Sequence, residues 1–430
     1  MFVSRCAGRM SRTSWSSDTR RILAAQGLRA FAYGLGAVLL GSTLEHLGLS
    51  SSSVGFVLGA VLAGTVAASL AVGRWADRVG RRRCYLALYV LLAATGAVFA
   101  YARSPWVFGV VALGGAASTD VLESGPFTSL EQAMLAGELA GRQRLRGFGV
   151  YNAVAAAAGS LGALTAGLPP LARRVWAGAP GDQRWFLVFV PVALAGAAVA
   201  ASLSPGVEPA RRTLASGPPT APGQPGAPDH AARPGAGLQR SRPVVVRLAS
   251  LFALDSLGGG FVVQAFVAFW LEKRFAASTA VVGVVFFGVG IIQTASFLAA
   301  VRIGERFGLL STMVFTHLPS NALLVALAFS PNLGVAVTLL LLRTALSQMD
   351  VPTRQAYLMA LVEPGERTPA AAYTNTARYL SRPVGPAIGG VLATVALSAP
   401  FVAGGAIKAV YDAILWRWFR RVPLPDQEEA

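Results

Sequence analysis

Residues 73–83 read GRWADRVGRRR and residues 302–308 read RIGERFG, each closing one long apolar run just before the next begins. Asp77-Arg78-Val79-Gly80 in the first stretch is answered by Glu305-Arg306-Phe307-Gly308 in the second, 228 residues later, and Val54-Gly55 and Val282-Gly283 keep the same spacing. Further out, the fourth apolar run ends at Glu123 before Pro126 and the tenth at Asp350 before Pro352. Tyr151-Asn152 and Tyr373-Thr374-Asn375 open the fifth and eleventh. So many correspondences in one order predict a duplicated unit.

The chain of 430 residues is 54% hydrophobic and 13% charged, with a mean hydropathy of +0.55. Soluble domains carry about 25% charged residues, and apolar runs of about 20 residues, the length that crosses a bilayer core, recur from residue 22 to residue 420. The runs are continuous, whereas the strands of a membrane barrel alternate. The expected fold is an all-α membrane protein of 12 transmembrane helices in two pseudo-symmetric six-helix bundles. The first bundle spans 22–204 and the second 244–420, with tails at 1–21 and 421–430. The stretch between them, 205–243, is rich in Pro, Gly and Ala and reads as a flexible linker. Two such bundles enclose a midplane cavity and expose it alternately to either side by rocking.

A formal charge of +17 raises the question of nucleic acid. The distribution answers it. With the N-terminus inside, 26 of the 37 Lys and Arg fall in cytoplasmic segments, and six fall opposite: Arg103, Arg173, Arg174, Arg184, Lys273 and Arg274. Such a bias places both termini in the cytoplasm and accounts for the charge without a nucleic-acid partner. The first apolar run is too long, and followed by too many others, for a cleaved signal peptide. Cys6 and Cys84 offer neither a disulfide framework nor a metal spacing.

The loop at 73–83 resembles the signature of the major facilitator superfamily: a glycine, an aspartate-arginine pair, a second glycine and a basic cluster. Gly73, Asp77, Arg78, Gly80, Arg81, Arg82 and Arg83 carry it, with Glu305 and Arg306 in the degenerate second copy. The resemblance implies secondary transport by a monomer in the cytoplasmic membrane, with Asp77 holding an inward gate through basic groups of the other bundle. Gly385-Pro386-Ala387-Ile388-Gly389-Gly390 is similar to a signature of drug/proton antiporters, which belongs in the fifth helix. There this chain has Gly159, Gly162 and Gly167 without the proline, and both glycine sets also read as close helix packing.

Ionisable residues inside the bilayer are costly unless paired or watered, which makes each a functional candidate. Asp255, in the seventh run among Gly258, Gly259 and Gly260, is the first candidate for proton coupling, against a pairing with an arginine of a neighbouring helix. Asp120, Glu123 and Asp350 follow, with gating as the other reading of Glu123 and Asp350; Glu131 begins a loop, where water can solvate it. Arg29, Arg378 and Arg382 are cavity candidates that either bind an anionic substrate bidentately or balance the acids, and Arg343, near the midplane two turns from Asp350, is a further cavity candidate. Asn152, Gln264 and Gln293 are polar lining candidates, and Phe261, Phe266, Phe269, Trp270 and Tyr379 are either aromatic lining or packing. Lys408 and Asp412 read as a local i, i+4 pair, and His317 as a packing histidine.

The expected function is proton-coupled export of a small organic compound, with uptake or organic-anion transport as the alternative. No cofactor or metal is expected, since an ion gradient supplies the energy. No enzyme motif supports catalysis: paired metal-binding histidines, GxSxG and a phosphate loop are all missing.

Overall fold

The computed structural model describes residues 15–118, 125–138, 141–176, 178–208, 240–362 and 366–422. The first half contains α1 (Ser17–His46), α2 (Ser51–Val79), α3 (Arg81–Phe99), α4 (Pro105–Ala112), α5 (Pro126–Glu138), α6 (Gly141–Thr165), α7 (Leu168–Val175) and α8 (Phe189–Ala201). In the second, α9 (Arg242–Gly260) with α10 (Gln264–Phe275) stands for α1, α11 (Thr279–Phe307) for α2 and α12 (Leu309–Leu327) for α3. Next, α13 (Leu333–Ser347) with α14 (Asp350–Leu361) stands for α4 with α5, α15 (Arg367–Ser381) with α16 (Val384–Val395) for α6, and α17 (Ala399–Phe419) for α8. Nine segments among the described residues are long and apolar enough to cross a bilayer. The α4–α5, α15–α16 and α17 segments fall where the other three of a six-plus-six layout are expected. The near face is defined here as the side where α1 starts and α2 ends, and the far face as the side where α1 ends and α2 starts.

The 228-residue spacing reappears in the helix ends. Ser51 and Thr279 start α2 and α11, Phe99 and Leu327 end α3 and α12, and Pro105 and Leu333 start α4 and α13. The local chemistry that sets these ends repeats as well. Ser50 and Ser278 accept hydrogen bonds from the backbone N–H of Ser53 and Val281, and Ser104 and Asn332 do the same for Trp106 and Val335. Gly80 and Gly308 turn the chain with φ of 106° and 84°, where any side chain would be strained.

The expected seventh and eleventh helices are each broken at mid-span. The seventh run gives way after Gly258-Gly259-Gly260, so α9 ends and α10 restarts at Gln264. The eleventh breaks at Arg382-Pro383, between α15 and α16. The breaks pack on each other, Gly260 lying against the Arg382 carbonyl and Gly385. In the fifth helix, Gly159 lies against Gly34, and Gly162 against the Phe31 carbonyl, so those glycines let α1 and α6 approach closely. Asp350 and Pro352 fall in the first turn of α14, where a missing backbone N–H leaves no helical bond unmade.

Candidate functional site

Where the broken helices meet α11, α13, α14 and α17, they leave a cavity of about 270 Å³. Val262, Val263, Phe286, Val289, Phe297 and Leu340 form its apolar walls. Its polar side holds two carboxylates, Asp255 and Asp350, against five cationic groups, Arg343, Arg354, Arg378, Arg382 and Lys408. Asp255 on α9 is 4% exposed. One of its oxygens accepts from Lys408 of α17 and the other from Arg354 of α14 at 3.1 Å, while Arg354 also reaches Asp350, one turn back, at 2.8 Å. Behind Lys408 stands His317 of α12. Its Nε2 is 3.5 Å from Lys408 Nζ and 3.8 Å from Asp255, and its Nδ1 is 3.0 Å from Asp412, which also accepts from Asn321 at 2.8 Å. Four helices, α9, α12, α14 and α17, thus share one chain of buried charge, with all its groups borne on the second bundle. Gln264 and Gln293 also line the cavity, Gln293 donating to Gln348 at 2.7 Å. Arg343 directs toward this space a guanidinium whose Nε makes no hydrogen bond among the described residues.

Arg29 sits elsewhere. On α1 it forms a bidentate pair with Glu131 of α5, at 3.1 and 2.8 Å, and the two side chains are 1% and 0% exposed. Tyr85 and Tyr151 donate to the same carboxylate at 2.8 and 2.6 Å, and the guanidinium lies over the rings of Tyr33 and Phe127. Glu131 is therefore fully buried inside α5 rather than solvated in a loop. The burial is tolerable because both carboxylate oxygens are satisfied.

The bundles meet at the far face. Gly41 of α1 lies against Ala265, Ala268 and Phe269 of α10; Gly55 of α2 against Pro386 and Gly390 of α16; and Gly283 of α11 against the Ala163 carbonyl of α6. Ser42 and Thr279 share a hydrogen bond of 2.8 Å across this seam. At the near face, Arg74, Trp75 and Arg78 of α2 and Glu305, Arg306 and Phe307 of α11 are exposed. The molecule is closed at the far side, with its charged cavity at mid-depth.

A sequence model described as "Major Facilitator Superfamily" matches residues 22–272, more than half of the chain. The chain belongs to the major facilitator superfamily. It is also 25% identical, over 93% of each chain, to an uncharacterized membrane protein of Saccharomyces cerevisiae. Among solved structures its fold is similar to the inward-open xylose transporter XylE from E. coli, with a TM-score of 0.67, 15% identity and coverage of 94% and 97% of the two chains. It is similar too to the nucleoside transporter NupG (0.65, 14%, 93% and 96%) and to the human organic anion transporter MFSD10 (0.55, 18%, 93% and 98%).

In this facilitator the signature loop is the turn between α2 and α3. Gly73 and Asp77 lie on α2, Gly80 makes the turn and Arg81 begins α3. Glu208, just beyond α8, caps that start by accepting from the backbone N–H of Arg81 at 2.7 Å and of Arg82 at 3.1 Å. Glu366 does the same ahead of α9, accepting from the N–H of Arg240 and Ser241 at 3.0 and 2.8 Å. Asn152 is exposed on α6, and Asp120 and Glu123 lie outside the described residues.

Several of the facilitator's site groups are ones the sequence reading passed over or assigned differently. Arg354 went unremarked, although its i, i+4 spacing from Asp350 was there to be read. Lys408 and Asp412, expected as a pair, instead face different partners, Asp255 and His317. His317 belongs to the charge chain rather than to simple packing. Phe266, Phe269 and Trp270 are packed: Phe266 and Trp270 stack against Phe401, and Trp270 donates to Ser398 at 3.0 Å.

Proposed function

We propose that this protein is a monomeric secondary active transporter of the cytoplasmic membrane that exports a small organic anion in exchange for protons by alternating access. The observation that carries the reading is the cavity's charge, five cationic groups against two carboxylates. Arg378 and Arg382, one helical turn apart, present guanidiniums whose planar fork suits carboxylate, sulfonate or phosphate groups. The apolar wall opposite suits the organic remainder of such a substrate. With both termini cytoplasmic, as the Lys and Arg bias supports, the near face is the cytoplasmic one, and the closed far face leaves the cavity to load from inside. An inside-negative potential, about 2.3 kcal/mol per charge per 100 mV, drives an anion outward.

Asp255 and His317 are the proposed proton carriers. Without substrate, Asp255 holds Lys408 and Arg354. An arriving anion takes those cations from Asp255; on the far side the anion leaves and the carboxylate takes up a proton, which it releases on the near side as it pairs again with Lys408 and Arg354. The test uses everted vesicles energised with an interior-acid proton gradient and a panel of matched anionic, neutral and cationic compounds. Anions should dissipate the gradient with native protein and not with Asp255→Asn, and Arg378→Gln should weaken the response. A response to cations alone would overturn the anion assignment, and anion uptake that consumes the opposite gradient would reverse the direction.

A further inference from the structure

At the far face, away from the cavity, Glu45 and His46 at the end of α1 approach Glu272 of α10, with one ligating atom from each within 4.8 Å of the others. The His46 Nε2 stands 3.9 Å from Glu45 and 4.0 Å from Glu272. The three residues are unlike in setting. His46 is 53% exposed and open to the far-side solution, whereas the Glu272 side chain is 3% exposed. Neither Glu272 oxygen accepts a well-formed hydrogen bond among the described residues. The hydroxyls beside it, Ser42 and Thr279, share one hydrogen bond, which leaves a single hydroxyl proton between them for the carboxylate. A carboxylate taken out of water at a helix end without a charged donor is an unmet demand for positive charge, and it points at an imidazole and a second carboxylate.

We propose that these residues bind a divalent transition-metal ion of the zinc class, bridging the two bundles at the closed far face. One imidazole with two carboxylates is a donor set that zinc accepts, with a fourth position left for water. The imidazole disfavours magnesium and calcium, which take oxygen ligands. Ligand bonds of about 2.0–2.2 Å require the three atoms to draw together, a movement open to the partly exposed Glu45 and His46 side chains. Sequence spacing could not reveal the site, because Glu272 comes from the other bundle. The bundles must part here for the far face to open, so the bound ion acts as a latch. The inference goes beyond the transport reading, and its test needs no transported substrate.

Purified full-length protein in lipid nanodiscs is titrated with radioactive Zn²⁺ by equilibrium dialysis, with Mg²⁺ in excess as competitor. One saturable site per chain is expected, indifferent to Mg²⁺. It should weaken at least about tenfold in His46→Ala and in Glu272→Gln, since even loss of an outer-shell group costs about 10–100-fold. Zn²⁺ should raise the thermal unfolding midpoint of native protein and not of either variant. Absence of a saturable site overturns the proposal, as does competition by Mg²⁺. Binding that survives Glu272→Gln also overturns it, because the site would then belong to α1 alone. Glu45→Gln, at a partly exposed position, keeps the test open if Glu272→Gln does not fold.

Discussion

Arg29 and Glu131 tie α1 to α5 in the first bundle where Asp255 and Arg354 tie α9 to α14 in the second, so the same pair of helices is joined in both halves with the charges exchanged. The two ties differ in what surrounds them. Glu131 is saturated by Arg29, Tyr85 and Tyr151 and is fully buried. Asp255 stands at a cavity wall between two cations. In the proposed cycle the first tie stays closed and the second is the one exchanged.

Glu131→Gln should therefore act on stability. It leaves Arg29 buried without a counter-charge, for which about 3–5 kcal/mol is the usual cost. Thermal unfolding in detergent should show a large loss, while the residual folded protein keeps the substrate KM of the native chain. A changed KM with unchanged unfolding would contradict this assignment.

Asp255→Asn strands Lys408 in the second bundle and leaves Arg354 with Asp350 alone. Unfolding should again be eased, and a second substitution, Lys408→Met, should restore part of the loss by removing one uncompensated cation. Additive effects of the two changes would mean that the contact carries no coupling. The double variant should recover stability without recovering gradient dissipation.

His317 joins Lys408, at 3.5 Å, to Asp412, at 3.0 Å. His317→Gln should weaken gradient dissipation while the preference for anions, set by Arg378 and Arg382, stays as it is. An undiminished response in the variant would remove His317 from the coupling chain.

Gly390→Ala addresses the seam between α2 and α16. A Cβ at Gly390 would come within 2.6 Å of Gly55 Cα, and overpacking of this kind costs about 1–3 kcal/mol. The cost falls on the far-closed form, so the balance should move toward far-open forms by roughly tenfold or more, about 1.4 kcal/mol per factor of ten. Spin labels on the far ends of α2 and α16 would read it as a longer mean distance. An unchanged distribution would mean that the seam is not the closing surface.

The fold was legible because its signals are local and repeated. Apolar run length, Ser50 with Ser278 and Gly80 with Gly308 each act on their own stretch of chain and recur at one spacing. Asp255 stood out for a similar reason, as a charge where charge is expensive. Its partners did not, since Lys408 follows it by 153 residues and Arg354 by 99, and the nearer candidate for Lys408, Asp412, satisfied the helical spacing rule without being the partner chosen. Glu131 was misread because Pro126 looked like the end of a helix, although it begins α5. The helix breaks that open the cavity depend on Gly260 meeting Arg382 and Gly385, a contact between segments more than 120 residues apart.

Among the described residues, the cavity's wall comes wholly from one half of the chain. In the transport cycle proposed above the two halves are therefore not interchangeable: the second would carry the selectivity, and the first would serve as the surface it moves against. Substrate range would then change by mutation in the second half while the first half stays as it is. A chimera with a relative's first bundle should keep this protein's substrate, and one with a relative's second bundle should take on the relative's.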